Sequence, residues 1–123
     1  MKKLFLFLTL NLAYACYGQT TINNKKILTC KLTSKEMQKR KETVIAGLKN
    51  QVIEKKELKN GYAYQFKGSD SVISELSEFV KTERLCCDFF DFTLRIKGDK
   101  TSAWLEISGP EGTKKFIKSE LEF

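Results

Sequence analysis

The chain has 123 residues, 41% of them apolar and 30% charged, a size and composition that suit one domain built round one hydrophobic core. It carries 22 Lys+Arg against 15 Asp+Glu, a net charge of +7, and no histidine. Ser-His and Cys-His catalysis and histidine zinc ligation are therefore excluded.

Met1-Lys2-Lys3, the apolar run from Leu4 to Leu12 and the small residues Ala13-Tyr14-Ala15 follow the order of a secretory signal peptide. Residues 1–19 are assigned to it, with cleavage after Gln19. Cleavage after Ala15 is the lesser alternative and would leave Cys16 as a lipid anchor, but Ala13 stands where such sites prefer a larger aliphatic residue. The run is too short for an uncleaved span of about 20 residues. Export to the periplasm or the exterior follows, and without the two signal lysines the charge falls from +7 to +5. Cys30, Cys86 and Cys87 remain, an odd number, so at least one thiol lacks an intramolecular disulfide partner.

Residues 20–26 read as a polar leader and residues 27–123 as a single domain. From Ile27 to Thr33 the pattern alternates, with Leu28, Cys30 and Leu32 on one face of a strand. Thr33 and Glu36 have capping-box spacing. The helix that follows should turn Met37, Val44, Ile45 and Leu48 inward and Lys35, Lys39, Arg40 and Lys41 largely outward. Residues 51–58 read as a strand, Asn60-Gly61 as a tight turn with positive backbone angles, and Tyr62 to Lys67 as the return strand. Ser69 or Asp70 caps the next helix. Its stripe of Val72, Ile73, Leu76, Phe79 and Val80 leads to Glu83, Cys86 and Cys87 at the C-terminal end. Phe90, Phe92, Leu94 and Ile96 alternate along another strand. A turn at Gly98-Asp99, a strand over Thr101–Ser108 and a short helix using Phe116, Ile117 and Leu121 complete the chain. The order β-α-β-β-α-β-β-α predicts an α+β fold with an antiparallel sheet of about five strands and helices packed on one face.

The adjacent pair Cys86-Cys87 carries the strongest chemical signal. Thiolates are soft donors that select Cu(I), Zn(II) and related ions, and by the same softness Hg(II) or As(III). Closed zinc sites normally space the cysteines of a pair two or more residues apart. Neighbours on a helix point about 100° apart and converge only where the helix frays. Two or three sulfurs, with Cys30 as the third, therefore suit an ion of low coordination number. The negative end of the helix, Glu83 and Asp88 disfavour thiolates while Lys81 and Arg84 favour them, so an activated nucleophile is not expected. Against ligation stands simple burial, since free cysteine is a common core residue; for Cys30, on a leucine face, packing is the stronger reading. A disulfide from Cys30 to one of the pair is the third reading.

The segment Glu83-Arg84-Leu85-Cys86-Cys87-Asp88-Phe89-Phe90-Asp91-Phe92 resembles the E-R-x-C-C-P-F-x-x-F signature of a family of small, poorly characterised bacterial proteins. Cys30-Lys31-Leu32-Thr33, Gly61-Tyr62, Trp104-Leu105 and Gly109-Pro110-Glu111-Gly112 extend the likeness over roughly residues 28–118. The resemblance implies that Glu83, Arg84, Cys86, Cys87 and Phe90 belong to a central motif and Cys30 to the first strand, in a setting loosely associated with heavy-metal and mercury resistance. Asp88 replaces the usual proline and is either an oxygen ligand or a solvated turn residue.

The expectation is an exported thiol protein that binds a soft metal ion (Hg, Cu(I) or Zn) through Cys86 and Cys87, joined by Cys30 and supported by Glu83, Arg84 and Asp88, and that is not an enzyme. A thiol/disulfide redox protein and an interaction module with packed cysteines are the alternatives. Export and the interspersed acids argue against a nucleic-acid partner despite the basic N-terminal half. A second hydrophobic stretch long enough to cross a membrane is not found.

Overall fold

The structure, a computed structural model, describes residues 34–121 and 123. The expected signal peptide, leader and first strand, with Cys16 and Cys30, lie outside the described residues.

Helix α1 (Lys35–Lys49) is capped by Ser34, whose hydroxyl accepts the Met37 N–H at 3.2 Å, so the cap falls one residue later than Thr33. Its inward stripe contains Val44, Ile45 and Leu48 and, contrary to the sequence expectation, Lys41, which is only 8% exposed. Positions 37, 41, 44, 45 and 48 share one helix face, so a lysine at 41 must turn inward with its neighbours.

The first hairpin joins β1 (Glu54–Leu58) to β2 (Gly61–Phe66), with Leu58 opposite Gly61 and a loop of Lys59 and Asn60. Neither Asn60 nor Gly61 has positive φ. Gly61 is required instead by close approach: a Cβ there would stand 1.9 Å from the Ile107 carbonyl oxygen on the adjacent strand.

Helix α2 (Asp70–Cys86) is capped by Ser69, whose Oγ accepts the Val72 N–H at 3.4 Å. Val72, Leu76, Phe79, Glu83 and Cys86 form its buried stripe, at the spacing of one helix face. β3 (Asp91–Ile96) and β4 (Ala103–Ser108) follow. The loop between them is longer than a Gly98-Asp99 turn: Asp99 Oδ1 accepts from the Thr101 N–H and hydroxyl, and Lys100 takes φ 63°. The last strand therefore begins at Ala103 rather than at Thr101. Helix α3 (Thr113–Glu120) starts at Gly112, with φ 94°, and buries Ile117; Leu121, just past its end, is also buried.

The fold is α+β. Among the described residues the sheet has four strands, all antiparallel, in the order β1-β2-β4-β3, and the elements run α-β-β-α-β-β-α. The expected sheet of about five strands counted a first strand at residues 27–33, which lies outside the described residues; the remaining order, α-β-β-α-β-β-α, is as expected. Tyr62, Tyr64 and Phe66 of β2 and Ala103, Leu105 and Ile107 of β4 alternate onto the core face, where they meet Leu76, Phe79 and Ile117 from the helices. The three β2 aromatics are thus core residues. Lys56 and Trp104 lie on the opposite face, the ammonium 4.7 Å from the indole centroid.

The two longer helices pack antiparallel. Arg40 pairs with Glu78, Lys41 with Glu83, and Gln51 with Glu75 nearer the other end. The N-terminal end of α1 is therefore brought beside the C-terminal end of α2, where the cysteines are. No helix of the described residues is long and apolar enough to cross a membrane.

Candidate functional site

The last turn of α2 and its cap build the site. Cys86 ends the helix and Cys87 is its C-cap, leaving helical geometry with φ −122° and ψ 72° while its N–H still donates to the Glu83 carbonyl at 2.7 Å. This departure lets two adjacent side chains, which would diverge on a continuing helix, turn toward one another. Their sulfurs lie 3.6 Å apart, well beyond the 2.05 Å of a disulfide bond. Both residues are fully buried in the hydrophobic core. Phe89 and Phe90 close that side of the core, their rings 4.7 Å apart and each edge-on to Phe116.

Glu83 sits one turn before the pair, at 1% exposure, and its Oε2 is 3.9 Å from Cys86 Sγ. Its Oε1 is buried with no hydrogen-bond partner among the described residues. The Lys41 ammonium approaches from α1, 3.9 Å from Oε2. Burial pushes the Glu83 carboxyl up to about 7, against the pull of Lys41. The hydrogen bond with Cys86 first, then burial, then the nearby Glu83 carboxylate push the Cys87 thiol up. A thiol so held is a poor nucleophile, in keeping with the absence of an activating histidine.

One ligand atom each from Glu83, Cys86 and Cys87 can be chosen so that all three lie within 4.8 Å of one another; among the described residues this is the only such group of three. Two sulfurs and one carboxylate oxygen, buried and convergent, can hold a thiophilic cation.

The expected site residues thus separate. Cys86, Cys87 and Glu83 converge. Arg84 is exposed on the last turn of α2, and Asp88 is exposed and outside the convergent group. Cys30 lies outside the described residues. Phe90 of the motif is a packing residue. Sequence reasoning missed Lys41, although its spacing from Met37, Val44 and Leu48 placed it on the inward stripe.

No protein-family model, no curated protein and no solved structure matches the chain.

Proposed function

We propose that this chain is an exported, single-domain protein that binds a soft metal ion through Cys86 and Cys87, with Cys30 as a further thiol donor, and that it is not an enzyme. The observation that carries the reading is the approach of two buried sulfurs to 3.6 Å with a buried carboxylate beside them. Burial removes competing water, and an ion bound there would meet donors already brought together. The expected secretory segment supports export, and the likeness of Glu83 to Phe92 to a heavy-metal-associated motif points the same way.

The thiol/disulfide alternative needs a thiolate near neutral pH, and the upward push on Cys87 works against it.

Titration of the reduced protein with Hg(II), Cu(I) and Zn(II), read by native mass spectrometry, tests the proposal. A one-ion adduct is expected, lost in the double variant Cys86→Ser, Cys87→Ser. An adduct that survives in the double variant, or none in the parent, defeats it.

A further inference from the structure

The same cluster narrows the class of ion, and the narrowing rests on the metal-binding reading above. An ion held by two sulfurs alone takes them from opposite sides, which sets the sulfurs at twice the bond length, on the order of 4.6 Å for a 2.3 Å bond. A tetrahedral ion with the same bonds separates two sulfurs by about 3.8 Å and a sulfur from a carboxylate oxygen by about 3.6 Å. The observed distances are 3.6 Å between the sulfurs and 3.9 Å from Cys86 Sγ to Glu83 Oε2. Both fit bent, mixed coordination, and the first lies about 1 Å short of linear coordination.

The carboxylate carries a second, independent sign. A glutamate at 1% exposure with one oxygen lacking any hydrogen-bond partner among the described residues bears a cost that a ligand would relieve. The unpartnered atom is Oε1; the other oxygen, Oε2, is the one near Cys86, and the Lys41 ammonium lies 3.9 Å from it, an ion pair longer than a hydrogen bond. A hard oxygen among soft sulfurs suits a borderline divalent ion better than Cu(I).

From this geometry we infer that Glu83 is the third ligand of an S2O centre for a borderline divalent ion of the Zn(II) type, and that Lys41 is the positioning residue that holds its carboxylate. The fourth position is open to water.

The test measures Zn(II) and Cu(I) affinity of the reduced full chain, by competition with a chromophoric chelator at one pH, in four variants. Glu83→Gln, close in shape, lowers Zn(II) affinity by about 100-fold and Cu(I) affinity by less than about threefold. Lys41→Met lowers Zn(II) affinity by roughly 10-fold, within the range for outer-shell partners, and has no further effect in the Glu83→Gln background, because it acts through that carboxylate. A general loss of structure would weaken both ions alike, and the double variant, with both buried charges removed, guards against misfolding of Lys41→Met alone. Unchanged Zn(II) affinity in Glu83→Gln, or equal losses for both ions in a folded variant, overturns the inference. Metal binding as such fails if the parent binds neither ion, or if Cys86→Ser, Cys87→Ser still binds both ions as the parent does.

Discussion

The two helix-hairpin halves of the molecule, α1-β1-β2 and α2-β3-β4, share a plan and differ in what they bury. Each helix is capped by a serine, and each helix is joined to its hairpin by four residues. In the first half that connection is Asn50-Gln51-Val52-Ile53, whose residues are exposed or half-buried; in the second it is Cys87-Asp88-Phe89-Phe90, where all but Asp88 are buried. Each half also buries one side-chain oxygen without a hydrogen-bond partner among the described residues, Tyr64 Oη in the first and Glu83 Oε1 in the second. The phenol is surrounded by aromatic rings such as Phe123, 5.2 Å away, whereas the carboxylate faces two thiols and a lysine. The same plan thus yields a plain core in one half and a buried cluster of one carboxylate and two thiols in the other, and only the second connection folds back into the interior.

The largest test of this asymmetry is Phe90→Ala against Ile53→Ala. Phe90 is 7% exposed within an aromatic cluster and its truncation should cost about 4 kcal/mol, while Ile53, 58% exposed, should lose less than about 1 kcal/mol. Urea unfolding of both variants compares them directly, and similar costs would show the connections to be equivalent.

Next comes the pH dependence that Glu83 brings to the metal-free protein. Its ordinary value of 4.5 is raised to about 7 in the fold, so the folded chain keeps a proton that the unfolded chain has released. Stability from this group is complete below pH 4.5 and falls as pH rises to 7, by up to about 3 kcal/mol. The difference in stability between Glu83→Gln and the parent should grow in favour of the variant across that window. A flat difference between pH 4.5 and pH 7.5 would contradict it.

Two smaller effects concern features on which the halves should agree or diverge only slightly. Tyr64→Phe removes the unpartnered hydroxyl and should raise stability by about 1 kcal/mol without altering metal affinity. Ser34→Ala and Ser69→Ala each delete a helix cap and should each cost about 1 kcal/mol by thermal or urea unfolding. Unequal cap costs would place a further difference in the helix starts.

Much of the architecture was legible in periodicity alone. The three helices, the two hairpins, the Ser69 cap and the position of the cysteines at the end of α2 follow from local spacing, since capping and alternation are short-range effects. Gly61 was legible as a special position but for the wrong reason: nothing near it in sequence reveals that Ile107 crosses within 1.9 Å of its missing Cβ. The charge of Lys41 points to the surface, yet helical phase, which governs which side chains face a neighbour, turns it inward.

The sequence by itself determined that this protein has thiols and no histidine to serve them, and that Glu83 and the cysteines fall along one helix stripe. Only the tertiary structure decided what they could do together. Antiparallel packing of α1 on α2 delivers Lys41 to Glu83 across 42 residues of chain, and the break in helical geometry at Cys87 brings the sulfurs to 3.6 Å. Contacts between distant segments and the direction of a side chain at a helix end depend on packing, which no local pattern encodes.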